Sequence, residues 1–282
     1  RRRKMKRKIK GSLPGRVISL LVLLFLVFVI LFPFIWMVVT SFKAEADIVS
    51  WPPKLFSGEF GLQSYKDIWE RIPFLTYYRN TIIFALAVSL ISLTFDTMAG
   101  YAFARLDFKG KNIMFLLVMG TLMVPFQVIM VPLFVEVYKM NLINTYLGMI
   151  LPRATNAFGI FMMRSFFISL PKGLEEAGRI DGAGEFKIFR KIMLPQCKAS
   201  VISLFIFHFM YQWNDLLYPL IMTTDDSHKT LPAGIASFMG THVVEYGVIM
   251  AGACLSILPI LIVYLFAQKQ FVQGIAMSGM KG

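Results

Sequence analysis

The sequence predicts an all-α membrane protein with six transmembrane helices and both termini in the cytoplasm. Of its 282 residues, 57% are hydrophobic and 16% are charged, whereas soluble domains typically carry about 25% charged residues. Six apolar stretches each exceed the roughly 20 residues that a helix needs to cross a bilayer. Basic residues cluster between alternate stretches, as the positive-inside rule requires of a multi-pass protein.

The first apolar stretch contains no charged residue, and Pro33 is predicted to kink it. It is too long for the apolar region of a signal peptide, so we expect the protein to retain it. Pro52, Pro53 and Gly58 then mark a polar loop. The spans are predicted over residues 17–40, 80–104, 112–138, 145–167, 196–222 and 244–267. They form a transmembrane domain over 17–270, between a basic N-terminal segment (1–16) and a C-terminal tail (271–282).

The distribution of positive charge predicts the topology. The formal net charge is +13, and eight of the first ten residues are Lys or Arg. Such a run before a long apolar stretch serves topology and anionic membrane lipid more often than nucleic acid, which we do not expect as a partner. Lys and Arg are also concentrated in the turn 105–111, in residues 164–198 and in the tail. The positive-inside rule therefore places both termini and residues 169–195 in the cytoplasm.

Nothing in the sequence indicates a catalytic, metal or nucleotide site. Cys197 and Cys254 lie far apart, without disulfide or metal-ligand spacing, and the three histidines form no ligand pattern. Gly110-Lys111 is the only Gly-Lys pair, and Arg105 stands where a phosphate-binding loop needs glycine. We therefore expect no cofactor on this chain, and energy for any transport must come from a partner or an ion gradient.

A long polar stretch, residues 169–195, joins predicted spans four and five. It is called the 169–195 loop below. Leu174, Ala177, Ile180 and Ala183 recur at helical spacing and predict a small-residue face on a short helix. Gly182 and Gly184 should break that helix before a second amphipathic piece over 186–193. A small face allows close approach by another protein's groove, but an interfacial helix lying in lipid headgroups fits the pattern equally well.

The 169–195 loop also resembles a signature of the permease subunits of binding-protein-dependent ABC importers. That signature is Glu-Ala-Ala, three residues, Gly, nine residues and Ile-x-Leu-Pro. This chain has Glu176-Ala177-Gly178, then Gly182, then residues 192–195 as Ile-Met-Leu-Pro, all at the family spacing. The one departure is Gly178, where the family prefers Ala and where Gly lowers helix stability by roughly 1 kcal/mol.

The likeness extends along most of the chain and narrows the family to the maltose-type carbohydrate importers, as their second permease subunit. The stretches that carry it are Tyr101-Ala-Phe-Ala-Arg105, Leu151-Pro152, Phe158-Gly-Ile-Phe161, Trp213-Asn-Asp215, Tyr218-Pro219, Thr230-Leu-Pro232, Phe271-Val272 and Lys281-Gly282. The resemblance implies the type I ABC importer permease fold and a multi-pass protein of the bacterial cell membrane.

The resemblance also implies the partners. They are a second permease subunit in a heterodimer, two copies of a cytoplasmic ABC ATPase that bind ATP and Mg, and an external binding protein that delivers a sugar or oligosaccharide. The chain itself is then not an enzyme. The tail, residues 273–282, is expected to reach the ATPase interface.

The resemblance assigns the contact with the ATPase to a helix of the 169–195 loop. Glu176 is expected to pair with a basic residue of the ATPase, and Ala177, Gly178 and Gly182 to permit close packing. Asp181 is expected to stabilise the turn. Ala183 and Phe186 complete the expected ATPase-coupling set.

Polar residues inside the predicted spans are candidates for the substrate pathway, because ionisable groups in a bilayer default to function. The candidates are Arg153, Asn156, Asn214 and Asp215. Arg153 has an alternative, which is to snorkel towards the outer membrane surface. Asn214 and Asp215 have another, which is to cap a helix break before Pro219.

Two further polar groups are expected to serve packing. Asp96 is expected to be a partner within the helix bundle rather than a proton relay. His208, alone at mid-span, is expected to pack between helices.

Three other functions are alternatives to a sugar permease. An ion-coupled secondary transporter needs carboxylates deep in the bundle, and only Asp96 approaches this. An intramembrane enzyme needs paired catalytic groups at one depth, which the sequence does not offer. An ABC permease for a non-sugar solute, such as an amino acid, an ion or a polyamine, remains open, although the motifs in spans four to six favour sugar.

Overall fold

The computed structural model describes residues 13–52, 54, 60–239 and 244–279. The basic run at residues 1–10, Pro53, Gly58, the histidine His242 and the terminal Lys281-Gly282 lie outside the described residues, as do the side chains of the tail from Phe271. In the described part, the regular structure is helical apart from isolated bridge residues at Lys43, Phe60, Met239 and Val244, of which Lys43 and Phe60 pair antiparallel.

The helices follow the order of the chain. They are α1 (Leu13–Ser41), α2 (Glu45–Ile48), α3 (Gln63–Arg71), α4 (Phe74–Arg105), α5 (Lys111–Thr121), α6 (Phe126–Lys139), α7 (Tyr146–Ile150), α8 (Ala157–Ser169), α9 (Gly173–Ile180), α10 (Glu185–Ile188), α11 (Leu194–Gln196), α12 (Lys198–Trp213), α13 (Leu217–Met222), α14 (Leu231–Ala236) and α15 (Tyr246–Gly279). A 3-10 turn (Leu151–Arg153) follows α7, and a π turn (Phe189–Met193) follows α10.

The described helices include three unbroken candidate membrane spans, which are α1, α4 and the first 20 residues of α15. Two bent pairs raise the number to five if each pair is one span: α5 with α6 at 98°, and residues 185–196 with α12 at 84°. Predicted span four is represented by α8, an apolar helix of 13 residues. The all-α membrane fold is therefore confirmed, although three predicted spans are not continuous helices.

Each interruption has a local cause. Predicted span three breaks at Pro125, which lacks an N–H and adopts an extended conformation (φ −63°, ψ 139°). Span four breaks at Asn156, whose extended backbone and side-chain oxygen, 2.9 Å from the Phe158 N–H, make it the N-cap of α8. Span five breaks after α12, where the Asn214 amide donates to the Met210 carbonyl at 2.7 Å.

The described residues divide into two compact units. The first comprises those up to Ile68 together with residues 244–254. Within it, the Glu45 carboxylate accepts hydrogen bonds from the Tyr246 and Gly247 N–H groups at 2.9 and 3.0 Å. A carboxylate at this position satisfies unpaired donors of the first turn of α15 and complements the helix dipole.

The second unit, residues 69–239 and 255–279, is built around α4. Helices α8 and α12 both pack along α4. Gly100 allows the close approach of α8, because a β-carbon there would lie 2.7 Å from the Met163 β-carbon. At one end of this bundle an apolar cluster joins Tyr101 and Phe167 to Ile188 and Met193. The 169–195 loop is therefore packed onto the bundle.

Candidate functional site

The 169–195 loop is a helix, a tight turn and a second helix. Helix α9 ends in a Schellman motif, in which the Ala183 N–H bonds to the Gly178 carbonyl at 2.9 Å and the Gly182 N–H bonds to the Arg179 carbonyl at 3.0 Å. Gly182 has φ +73°, a left-handed conformation that favours glycine. Backbone groups thus close the turn, and a role for Asp181 in stabilising it stays a prediction.

The outward side of the 169–195 loop carries most of the predicted coupling set. Glu176, Ala177, Asp181 and Gly182 are exposed. Two large apolar side chains stand beside them: Ile180 is 85% exposed and Phe186 is 64% exposed. Exposed apolar groups next to a free carboxylate are typical of a surface that another protein covers.

Gly178 does not belong to this outward surface, which corrects the prediction. It is buried, and a β-carbon there would lie 2.6 Å from the Ile192 δ-carbon and 3.2 Å from the Ile188 γ-carbon. Ala183 is half-buried and packs with Leu174 against the apolar cluster at the end of the bundle. The predicted small face is therefore divided, with Ala177 and Ile180 outward and Leu174, Gly178 and Ala183 inward.

The inward side contains an ion pair that the sequence did not predict. Arg105, the last residue of α4, places its Nε atom 2.9 Å from Oε1 of Glu175, and both side chains are 5% exposed. This contact has the distance of an ion pair without the direction of a hydrogen bond. The Arg105 Nη2 group donates to the Phe167 and Leu170 carbonyls. The buried pair joins the 169–195 loop to the ends of α4 and α8.

A second polar link ties the other half of the 169–195 loop to α4. The Arg179 Nε–H donates to Glu185 Oε1 at 2.9 Å, and the Tyr101 hydroxyl donates to Glu185 Oε2 at 3.2 Å. The hydrogen bond from Arg179 lowers the pKa of the Glu185 carboxyl. Arg179 also lies 3.7 Å from Glu175, so a chain of polar contacts runs from Arg105 to Tyr101 through the loop.

Arg153 and Asp215, two predicted substrate-pathway residues, are brought together. The Arg153 Nη2 group donates to Asp215 Oδ2 at 2.7 Å, with side chains 14% and 10% exposed. The guanidinium lies 4.4 Å from the Tyr218 ring centroid and 4.8 Å from that of Phe126. Arg153 therefore does not snorkel, because its charge is paired and enclosed by rings.

The three breaks in the predicted spans meet at this pair. Phe126 follows the break between α5 and α6, Arg153 lies in the turn before α8, and Asp215 lies between α12 and α13. Tyr211, 49% exposed, has its ring centroid 5.8 Å from the Arg153 guanidinium. Aromatic faces beside charged groups are suited to bind a polar solute with apolar ring faces.

Asn156 and Asn214 act as helix caps in the structure. The Asn156 side chain caps α8, and its backbone N–H donates to Asp96 Oδ1 at 2.9 Å. Asn214 is exposed and caps the end of α12. Capping was the alternative prediction for Asn214 and Asp215, and Asp215 Oδ1 also accepts from the Tyr218 N–H, at the start of α13, at 3.3 Å. The cap at Asn156 was not predicted.

Asp96 and His208 form a buried contact between helices. Asp96 Oδ2 lies 3.0 Å from His208 Nε2, and Oδ1 accepts from the Thr155 hydroxyl at 2.7 Å. A β-carbon at Gly159 would lie 2.1 Å from Oδ2, so glycine is required beside this carboxylate. The prediction that Asp96 is a partner within the bundle is confirmed, and His208 is satisfied by it.

Comparison with known proteins identifies the family. The family model described as "Binding-protein-dependent transport system inner membrane component" matches residues 96–276. The chain belongs to this family. It is therefore a multi-pass inner-membrane permease component of a binding-protein-dependent ABC transport system in the bacterial cell membrane, as the 169–195 loop predicted, and an ion-coupled secondary transporter is no longer favoured.

Relatives match over nearly their full length. The arabinooligosaccharides transport system permease protein AraQ of Halalkalibacterium halodurans is 34% identical over 92% of this chain and 94% of the relative. The trehalose/maltose transport system permease protein MalG of Thermococcus litoralis is 32% identical over 95% and 97%. The sn-glycerol-3-phosphate transport system permease protein UgpE of Yersinia pestis is 33% identical over 89% and 92%.

The fold has a solved counterpart. A chain in the crystal structure of a bacterial ABC transporter involved in the import of the acidic polysaccharide alginate superposes with a TM-score of 0.77. The match covers 93% of this chain and 99% of that chain at 22% identity. The chain thus has the fold of an ABC importer permease, as the sequence predicted.

Proposed function

We propose that this chain is the permease subunit of an ATP-driven sugar importer and forms half of the sugar pathway. In this proposal the 169–195 loop docks into a groove of a cytoplasmic ATPase. The observation that carries the proposal is the two-sided loop: Ile180 and Phe186 are exposed, while Glu175 is buried against Arg105 of the chain's own bundle. A surface of this kind receives force from a partner on one side and passes it to the bundle on the other.

The proposed assembly has two permease subunits, two copies of the ATPase and an external binding protein that delivers the solute. ATP and Mg bind to the ATPase, which performs the hydrolysis. Closure of the ATPase dimer would move the docked loops and switch the spans between inward-open and outward-open states, a rigid-body population shift.

Sugar is the proposed solute class because relatives at 32–34% identity are named for arabinooligosaccharides, trehalose and maltose. The aromatic rings around Arg153 support this class, since rings can stack on sugar faces while the ion pair holds hydroxyl groups. Glycerol 3-phosphate is the alternative, because UgpE is a relative of similar identity. A phosphate group would bind the Arg153 guanidinium best if that guanidinium were released from its pair with Asp215.

Glu176→Lys tests the docking claim in the full transporter, reconstituted in vesicles with its second permease, ATPase and binding protein. The probes are an arabino-oligosaccharide, maltose, trehalose, lactose and glycerol 3-phosphate. We expect the wild type to hydrolyse ATP faster with one of the sugars, and Glu176→Lys to lose roughly tenfold or more of that stimulation, because a charge-assisted contact becomes a like-charge clash.

Asp107→Lys is the matched control, since its exposed carboxylate lies off the loop but on the same predicted side of the membrane. It should retain stimulation. Full stimulation in Glu176→Lys would contradict docking and would favour a loop lying in lipid headgroups. Stimulation by glycerol 3-phosphate alone would replace the sugar assignment.

A further inference from the structure

Three helix ends meet at the guanidinium of Arg105. Arg105 is the last residue of α4, its Nη2 group donates to carbonyls at the C-terminal end of α8, and its Nε atom faces Glu175 in the first turn of α9. Carbonyls at a helix end lack partners within the helix and favour a nearby cation, while a helix start favours a carboxylate. Arg105 and Glu175 satisfy these preferences together.

This contact differs in kind from the apolar packing around it. Ile188 and Met193 also hold the 169–195 loop on the bundle, but apolar contact is non-directional and does not by itself specify the orientation of the loop. The planar guanidinium donates hydrogen bonds to the Phe167 and Leu170 carbonyls, which fix its orientation at the end of α8. Its charge then holds Glu175 of the loop at 2.9 Å. Breaking the pair on one side would leave a buried charge without compensation.

The second half of the loop is held to the same end of α4. Tyr101 lies one turn before Arg105 and donates to Glu185, which pairs with Arg179. Arg179 lies 3.7 Å from Glu175 and so closes the circuit. Both helices of the loop are therefore connected by polar contacts to one turn of α4.

We propose that Arg105 and Glu175 are positioning residues for coupling: they make the 169–195 loop, α4 and α8 move as one body when the ATPase moves. The inference rests on the proposed docking of this loop and goes beyond it. It gives the adjacent glutamates separate tasks, since Glu176 faces outward to the partner and Glu175 faces inward to the chain's own bundle.

The test uses the complete transporter with the panel compound that stimulates hydrolysis. The variants are Arg105→Gln, Glu175→Gln and the double variant, and the readouts are ATPase co-purification, ATP hydrolysed and solute imported per ATP. We expect the ATPase to co-purify and hydrolysis to continue, while import per ATP falls roughly tenfold or more in each variant, because the loop moves without the bundle. Arg105→Lys keeps the charge but not the planar guanidinium, so its import per ATP should lie between that of the wild type and that of Arg105→Gln.

The double variant separates positioning from folding. It leaves no unpaired buried charge, so assembly should equal or exceed that of the single variants, while import per ATP stays low. The control Arg164→Gln changes an arginine of α8 that donates to the Phe103 carbonyl at 3.3 Å without a described contact to the loop, and it should keep the wild-type ratio.

A wild-type ratio in the double variant would overturn the inference, because the pair would then serve assembly alone. That result combined with a loss of stimulation in Glu176→Lys would leave docking intact. Unchanged stimulation in Glu176→Lys would instead contradict the proposed function itself.

Discussion

Arg153 is held in an ion pair with Asp215 and is enclosed by the rings of Tyr218 and Phe126. Its position, near the end of a predicted span, allowed either snorkelling or a role in the substrate pathway. Hydropathy gives depth along one helix but not which charge lies opposite, and Asp215 is 62 residues away. The ion pair depends on breaks in two different spans, so only the folded chain brings the two charges together.

Arg153→Ala should lower solute import roughly tenfold with little change in the amount of assembled transporter. Removing the guanidinium takes the cation out of the ring cluster, while Asp215 keeps the hydrogen bond that it accepts from the Tyr218 N–H at 3.3 Å. Import kinetics in vesicles, corrected for assembled protein, measure the effect. Lys139→Ala is the control, because Lys139 forms an exposed pair at 3.6 Å that should contribute little.

Import kinetics identical to those of the wild type would remove Arg153 from the substrate pathway. The pair would then be a purely structural link between broken helices.

At the scale of the element, the loop was more predictable from sequence than the spans. Capping preferences and glycine act locally, so the helix, the bend near Gly182 and the second helix all follow from residues close in sequence. Which glycine makes the turn was less clear: the structure assigns it to Gly182 at φ +73°, while Gly184 is an ordinary N-cap at φ −69°. The inward orientation of Gly178 depends on Ile192, fourteen residues later, and was not predictable.

The breaks in the spans could not be predicted from hydropathy. Hydropathy averages over about 20 residues, so a break of three or four residues inside an apolar stretch leaves the average high. Pro125 and Asn156 are residues that can interrupt a helix, but the apolar residues around them kept the average hydropathy high, so the interruptions were not predicted. The contact of Arg105 with α8 was likewise hidden, since its acceptors are backbone carbonyls that have no sequence signature.

Gly182→Ala should weaken coupling, whereas Gly184→Ala should be tolerated. An L-residue at Gly182 costs about 1 kcal/mol in the left-handed region, which disfavours the turn between the two loop helices. Neither position has a neighbouring atom that a β-carbon would contact, so the pair isolates the backbone effect. The measurement is solute-stimulated ATP hydrolysis in the reconstituted transporter. Equal stimulation in both variants would show that the left-handed turn is dispensable.

At the scale of the whole molecule, both termini and the 169–195 loop are predicted to lie in the cytoplasm. Alkaline phosphatase fused to the N-terminus should be inactive, because its disulfides form only outside the cytoplasm. The same reporter fused after His228, in a loop predicted to face outward, should be active and serves as the control. An active N-terminal fusion would refute the topology and with it the access of the loop to a cytoplasmic ATPase.

Photo-crosslinking shows whether the outward side of the 169–195 loop contacts the ATPase, the contact on which the proposed function depends. Phe186, 64% exposed, and Phe189, 8% exposed, lie three residues apart in the same loop. Each is replaced in turn by the photoreactive p-benzoylphenylalanine in the assembled transporter. We expect a crosslink to the ATPase subunit from position 186 and crosslinks only within the chain from position 189. Absence of an ATPase crosslink from position 186, in a transporter that still hydrolyses ATP, would contradict the proposed contact between the loop and the ATPase.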